Sequence, residues 1–372
     1  MAGIYIHIPF CRQACNYCNF YFSTSANQKN DLLVNLEKEI SLHENWIYRD
    51  IDTVYFGGGT PSLLSPSEIG RLLNVINSNF NVMDDAEITL EANPDDLNPE
   101  YLSAIKSEGI NRLSIGIQSF INRDLKFMNR IHTAVEAVES IENAISSGFN
   151  NINIDLIYGT PGLTDSNWKS NIALAVNCGV QHISAYSLTV ETGTVLYHNI
   201  RKGKTRNVDE EQSARQFEIV MDRLPALGLE HYEISNFCLP GFRSRHNSSY
   251  WRCHPYLGIG PSAHSYDLEN RYWNIPNIKK YCDQLQKRIL PWNQEKISVE
   301  QSANEFILTQ IRTSEGINIV DFMNSFGKSY ADLVLTNAFD LGEDYLDFED
   351  GKIVLNKKGK LIADHITVKL MI

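Results

Sequence analysis

Thr53-Val54-Tyr55-Phe56-Gly57-Gly58-Gly59-Thr60-Pro61-Ser62-Leu63-Leu64-Ser65-Pro66-Ser67-Glu68 is the stretch from which the fold can be read. Four β-prone residues run into a glycine-rich turn. Ser65 then offers an N-cap hydroxyl, Pro66 suits the first helical position, and Glu68 completes a capping box. A strand that turns at glycines into a capped helix is one half of a βα repeat. The same alternation extends in both directions. Strands are expected at Tyr5–Ile8, Thr53–Phe56, Glu87–Glu91, Arg112–Gly116, Asn151–Ile157 and Ile183–Leu188, with a later one at His231–Ile234. Helical periodicity marks Leu32–Ile47 and Ala134–Ile145, and Asn98-Pro99 opens another helix. Gly109-Ile110, Gly148-Phe149, Gly179-Val180 and Gly228-Leu229 each close a helix, the glycine taking the left-handed C′ conformation. Six or more such units predict a parallel sheet with right-handed crossovers, hence a full or partial (β/α) barrel. Its chemistry belongs at the C-terminal ends of the strands. The unusual residues do fall there: the cysteines after the first strand, the glycines after the second, Glu91 after the third, Gln118 after the fourth, and Asp155 within the fifth.

Beyond roughly Asp267 the alternation stops. The tail from about Glu295 is expected to hold one long amphipathic helix, Ser302–Ile311, then shorter elements and a hairpin turning at Asp350-Gly351. The expected division is a barrel core over 1–235, a connecting segment over 236–294, and a small C-terminal α+β domain, winged-helix-like, over 295–372.

A chain of 372 residues can bury one large core with a small appended domain. Its 43% hydrophobic and 21% charged content is that of an ordinary globular protein. The formal net charge of −12, without a long Lys/Arg run, argues against nucleic acid or an anionic membrane as partner. No basic leader and no apolar run of membrane-spanning length are evident, so a cytoplasmic location is expected. Among seven cysteines, Cys11, Cys15 and Cys18 crowd together while Cys178, Cys238, Cys253 and Cys282 are scattered. A chain this large needs no disulfide staples, so the crowded three point to a metal or cluster site. Their Cys-x3-Cys-x2-Cys spacing suits three irons of a cubane, leaving the fourth open for an exogenous ligand. A zinc site completed by a remote histidine, or three unconnected thiols, remain the alternatives on spacing alone.

The surrounding residues decide among them. Tyr5-Ile6-His7-Ile8-Pro9-Phe10-Cys11, with Cys15, Tyr17-Cys18 and Phe20, resembles the radical S-adenosylmethionine (SAM) signature of the coproporphyrinogen dehydrogenase (HemN) and HemW group. Similarity continues through Gly57–Ser62, Ile88–Pro94, Ser114–Phe120 and Asp155–Gly162, and covers nearly the whole chain including its tail. The resemblance implies a radical SAM partial (β/α) barrel whose [4Fe–4S] cluster is held by Cys11, Cys15 and Cys18. It further implies SAM chelating the open iron and cleaved by one electron to methionine and a 5′-deoxyadenosyl radical. By position, Tyr5, Gly58, Gly59, Thr60, Glu91, Gln118, Arg130 and Asp155 are the implied SAM contacts. The glycines allow close backbone approach and Arg130 offers a forked cation for a carboxylate.

His246-Asn247-Ser248-Ser249-Tyr250-Trp251 resembles a stretch associated with haem binding in this group, which implies haem contacts at His246, Tyr250 and Trp251. Imidazole can ligate haem iron and flat rings can pack on porphyrin. Cys253, His254 and His264 are competing ligands nearby. The plain alternative is a histidine and two aromatics at a domain junction, satisfied by local hydrogen bonds. Two functions follow from the group. One is a haem chaperone that delivers haem to recipient haemoproteins. The other is oxygen-independent coproporphyrinogen III dehydrogenase. The dehydrogenase's cluster motif ends Cys-x-Cys, where this chain has Cys18-Asn19-Phe20, and only four residues precede Tyr5 where the dehydrogenase has a long extension. Both departures, with the His246 motif, favour the chaperone without dehydrogenase activity. An electron donor is implied, and a homodimer is compatible with the sequence.

Overall fold

The computed structural model describes residues 2–43, 46 and 50–372. Six strands, β1 (Ala2–Ile8), β2 (Ile51–Gly58), β3 (Val82–Ala92), β4 (Arg112–Gln118), β5 (Ile152–Tyr158) and β6 (His182–Ser187), pair side by side in chain order, all parallel. Each contains the strand expected from sequence or overlaps it, with small shifts at the ends. Helices cover the outer face. Inner and outer faces are both packed, so these strands read as near-continuous apolar runs: β1 buries Ile4, Ile6 and Ile8, and β4 buries Leu113, Ile115 and Ile117.

The helix entrances and exits behave as their chemistry requires. Ser65 Oγ accepts from the Glu68 amide while the Glu68 carboxylate accepts from the Ser65 amide, with Pro66 at the first position. Asn98 caps the helix Pro99–Ser107. Gly109, Gly148, Gly179 and Gly228 all have positive φ. At three of these ends the next amide reaches back to the helix, Ile110 to Ile105 O, Phe149 to Ala144 O and Leu229 to Leu224 O, and the apolar side chain is buried. The helix expected over Leu32–Ile47 runs Lys29–Leu42; Ile47 lies outside the described residues.

The sheet does not close on itself. After β6 come β7 (Glu230–Glu233), β8 (Asn236–Cys238), β9 (Tyr256–Ile259), β10 (His264–Tyr266), β11 (Asn270–Asn274) and β12 (Trp292–Lys296). Strand β8 pairs antiparallel with β6 and carries β7 at one edge, whereas β9 pairs parallel with β1 and carries β10, β11 and β12 at the other. Residues 236–294 thus extend both sides of one twelve-stranded, partial barrel.

Residues 303–370 gather their own core around Ile307, Phe322, Val334, Leu346 and Ile366. A three-stranded sheet, β13 (Ile317–Asn318), β14 (Leu346–Glu349) and β15 (Lys352–Leu355), forms the wing. Asp350 and Gly351 both take positive φ in its hairpin turn. The expectation of a single long helix here needs correction. Val299–Gln310 is joined by an equally substantial helix, Lys328–Leu341. It buries Ala331, Val334 and Ala338 while Leu333 and Phe339 are exposed, so its apolar residues do not fall on one stripe. Among the described residues, no helix is long and apolar enough to cross a membrane.

Candidate functional site

A cavity of about 1220 Å³ opens at the C-terminal ends of β1–β6. Its wall brings together Cys11, Cys15 and Cys18 from the loop after β1, and Gly58, Gly59 and Thr60 from the end of β2. Glu91, Gln118, Arg130 and Asp155 complete it. Seven of the eight expected SAM contacts and all three cysteines therefore converge.

The glycine turn and the cysteine loop are built against each other. Gly59 N donates to Ile8 O at 2.8 Å and Thr60 N to Phe10 O at 2.7 Å. A Cβ on Gly59 would stand 2.7 Å from Phe10 O and 3.0 Å from Cys11 Sγ, so only glycine lets this backbone lie beside the cysteine. Gly58, at φ +114°, donates its amide to Glu91 Oε2 at 3.1 Å, and Tyr55 OH donates to Glu91 Oε1 at 2.8 Å. Arg130 is oriented by three acceptors: Asn93 Oδ1 at 2.7 Å, Gly116 O at 2.8 Å and Cys15 Sγ at 3.4 Å. Gly116 makes room for it, since a Cβ there would lie 3.2 Å from the guanidinium and 3.0 Å from Gln118 Nε2. Gln118 itself has φ +65°, a strained conformation that ends β4 at the cavity. Asn153 Nδ2 donates to both Asp155 Oδ1 and Ser114 Oγ at 2.8 Å.

The electrostatics favour a cationic guest. Burial pushes the Glu91 carboxyl up to about 7 and raises that of Asp155, and the Asp155 anion adds to the rise at Glu91. Two buried carboxyls on one wall are relieved by a ligand bearing an ammonium or sulfonium, and SAM bears both. The Cys11 thiol is pushed up to about 11, mainly by burial. Among the described residues, no three His, Cys, Asp or Glu side chains lie close enough to hold a single metal ion. A cubane takes each thiolate on a different iron, which three cysteines of one loop can supply. The donor set and the glycine cradle fit a cluster with SAM beside it.

Four expected residues fall elsewhere. Tyr5 does not line this cavity. Its ring stacks on Tyr55 with centroids 6.1 Å apart, its hydroxyl lies 3.2 Å from His7 Nδ1, and it lines a second cavity of about 570 Å³. His246 also lies away from this cavity. Its helix, Arg245–Trp251, lies against β1 and β2, and His246 is 1% exposed. Nδ1 is 2.8 Å from Thr53 Oγ1 and Nε2 is 2.8 Å from the Tyr250 hydroxyl. The ring stacks on Tyr55 at 5.0 Å, its amide donates to Glu87, and burial pushes its pKa down to about 3. Gly3 and Thr53, its neighbours, pair at the N-terminal ends of β1 and β2, so the histidine plugs the end of the barrel away from the cysteines. Both ring nitrogens are taken. Tyr250 is shared between His246 and the second cavity, and Trp251 lines neither cavity.

The sequence reading missed Tyr55, Asn93, Gly116 and Asn153. Asn93 stands in a motif already singled out, two residues after Glu91. Tyr55 and Asn153 looked like ordinary strand residues, because no local spacing reports which carboxyl a side chain meets across a sheet.

The radical SAM superfamily profile matches residues 5–175. Over 99% of its length, and 94% of the relative's, the chain is 35% identical to "Heme chaperone HemW" of Mycobacterium tuberculosis. It is equally similar to "Heme chaperone HemW" of Bacillus subtilis, with 98% of both chains covered. Among solved structures, coproporphyrinogen III oxidase (HemN) from Escherichia coli superimposes with a TM-score of 0.87, covering all of this chain and 90% of that one. At 22% identity that likeness speaks for the fold alone. A site built to hold a cluster and SAM, on a barrel of this topology and with end-to-end similarity at this level, places the chain in the HemW family of the radical SAM superfamily.

Proposed function

We propose that this protein is a haem chaperone of the cytoplasm: it binds haem and passes it to recipient haemoproteins. The carrying observation is the 35% identity to proteins named as haem chaperones, sustained over nearly the full length of both chains. Cys11, Cys15 and Cys18 hold the [4Fe–4S] cluster in this reading. Gly58, Gly59 and Thr60 present backbone to SAM, Glu91 and Asp155 face its cationic groups, and Arg130 and Gln118 bind its anionic or ribose end. When bound, this pair supplies a one-electron route to an adenosyl radical. The chain's own contribution is to orient SAM and keep Glu91 and Asp155 out of water until a cation arrives. An electron donor and a cluster-dependent homodimer complete the proposal.

Phe20 supports the chaperone over the dehydrogenase. It stands where the resemblance places the dehydrogenase's fourth cysteine, and its ring is 68% exposed beside the cysteine loop. Radical decarboxylation needs an enclosed, water-free pocket around the reacting carbon, whereas a carrier needs an accessible apolar surface and reversible binding. The test is anaerobic incubation of the cluster-loaded protein with haem and, in parallel, with coproporphyrinogen III, SAM and a reductant. A haem complex that loads an apo-haemoprotein, without protoporphyrinogen, is the expected result. Multiple-turnover formation of protoporphyrinogen would replace the chaperone by the enzyme.

A further inference from the structure

The chain is acidic, with a formal net charge of −12, yet one exposed segment is strongly basic. Arg201-Lys202-Gly203-Lys204-Thr205-Arg206 places four cations in six residues, and no Asp or Glu stands between Glu191 and Asp209. All four cations are exposed. Among the described residues none of them makes an ion pair; Arg201 lies over the Tyr197 ring, 5.7 Å from its centroid. The acids that resume at Asp209 are engaged locally: Asp209 caps the helix Glu210–Ala226, and Glu211 faces Arg215 at 4.0 Å. The turn is also well defined. Gly203, at φ +66°, closes the helix Val195–Arg201, with Gly203 N bonded to Ile200 O and Lys204 N to Asn199 O, both at 2.9 Å. Arg201 and Lys202 suit the carbonyl end of that helix. Lys204 and Arg206 lie beyond it and need another reason.

The basic turn stands beside the cysteine loop. Leu196 N donates to Asn16 O at 2.8 Å, so the helix that carries the cations is bonded to the residue next to Cys15. Asn16 Nδ2 donates to Phe127 O at 2.8 Å, and Tyr17 packs on a small apolar cluster that includes Leu125, Met128 and Leu196. Further along the segment, Asn207 and Val208 line the main cavity. Cations without counter-ions at this place attract an acidic body, and the negative field of the rest of the chain turns that body toward them. A nucleic acid, charged along its whole length, would meet that repulsion beyond a patch of four cations. We propose that the turn from Arg201 to Arg206 is the docking surface for an acidic one-electron carrier protein that reduces the cluster. One electron leaves the carrier and enters the oxidised cluster; no bond forms or breaks, and the carrier departs oxidised by one electron. Such encounters bury little area, and their speed comes from electrostatic steering. The assignment rests on the reading of Cys11, Cys15 and Cys18 as cluster ligands.

The test is anaerobic stopped-flow reduction of the cluster-loaded protein by a reduced, acidic [2Fe–2S] ferredoxin, with methyl viologen radical as a small reductant that needs no docking. One variant is the triple Lys202→Glu, Lys204→Glu, Arg206→Glu. The other carries the same change of charge elsewhere, as Lys279→Glu, Lys280→Glu, Lys287→Glu at exposed positions on and just after the helix Ile278–Gln286. Iron content and SAM binding report that each variant is folded. At low ionic strength the first variant is expected to lose roughly tenfold or more of the ferredoxin rate constant, while its viologen rate does not fall. The loss is expected to shrink as added salt shortens the screening length from ~30 Å at 0.01 M to ~10 Å at 0.1 M, and the second variant is expected to lose much less. Equal ferredoxin rates in all three proteins, an equal loss in both variants, or no ferredoxin reduction where viologen succeeds would overturn the docking surface. A duplex oligonucleotide held by wild type at physiological salt and released by the first variant, with ferredoxin rates unchanged, would also overturn it and give the patch to nucleic acid. If neither reductant yields the paramagnetic signal of a reduced cluster in iron-loaded wild type, the cluster reading itself falls.

Discussion

Replacing His246 by alanine is expected to damage the barrel rather than remove a haem ligand. The ring is 1% exposed, stacks on Tyr55 at 5.0 Å and meets Tyr250 edge to face at 5.0 Å. Deleting a buried aromatic of this size costs ~3–5 kcal/mol in transfer and cavity terms. Two hydroxyls then lose their partner. Thr53, fully buried, is stranded at a cost of ~1–3 kcal/mol, while Tyr250 can turn toward the second cavity and recover some of its hydrogen bonding. The expected loss is about 4–8 kcal/mol, a large share of the ~5–15 kcal/mol typical of a domain. Anaerobic urea unfolding of wild type and variant, followed by far-ultraviolet circular dichroism, measures it. Haem titration of the folded fraction at low temperature is expected to return the wild-type ligation spectrum. A variant within about 1 kcal/mol of wild type that loses that spectrum would refute the reasoning, since a sealed, doubly bonded imidazole cannot be both dispensable and the ligand.

Other outcomes follow from the main cavity and from burial. Glu91→Gln and Asp155→Asn are expected to weaken SAM binding roughly tenfold or more in equilibrium dialysis, with iron content unchanged; equal affinity in all three proteins would remove both carboxyls from the site. Gly59→Ala is expected to lower cluster content on anaerobic reconstitution, because its Cβ would press on Cys11 Sγ and two backbone carbonyls; full iron loading would show that the loop yields. Acid stability of the apoprotein is expected to fall gently between about pH 6.5 and 4.5 and more steeply from there to about pH 4. Burial pushes His43, His132 and His231 down to about 4 and His246 to about 3, so each favours unfolding as pH falls below 6.5. Burial also pushes Glu39, Glu91 and Glu233 up to about 7, which opposes them down to the ordinary carboxyl value of 4.5, where both states are protonated. Below 4.5 the histidines act alone, each by up to ~1.4 kcal/mol per pH unit, His43, His132 and His231 down to about pH 4 and His246 down to about pH 3; a stability profile level from pH 6.5 to 3.5 would contradict these burials.

The barrel was legible because its signals are local. Ser65, Pro66 and Glu68 make a helix start by bonding within four residues, and Gly109, Gly148 and Gly228 end helices through the positive φ that glycine adopts without strain. The strands β1 to β6 could be found singly, and the right-handed crossover then left little choice of order. The cysteine spacing and the Gly57–Pro61 turn are likewise confined to a few residues, so the cluster loop and the SAM cradle could be named before any coordinates. Lys328–Leu341 escaped because the exposed Leu333 and Phe339 blur the stripe of Ala331, Val334 and Ala338.

What the sequence could determine by itself was therefore the repeating βα architecture, the crowding of Cys11, Cys15 and Cys18 and most of the rim of one cavity. Only the tertiary structure decided where His246 points. Its partner Thr53 lies 193 positions away, and the contact exists because the helix Arg245–Trp251 packs under β1 and β2. The aromatic motif that looked like an open face for a cofactor is half plug and half wall: His246 seals the barrel, while Tyr250 turns its other side to the second cavity. That cavity joins Tyr5 and Phe20 from the first strand and its loop to His264, Arg271 and Leu308 from segments far along the chain. His264, Arg271 and Leu308 share no spacing and no motif with the earlier residues. They meet because β9 pairs with β1 and folds the later hairpins back against the cysteine loop, a long-range pairing that no window of sequence contains.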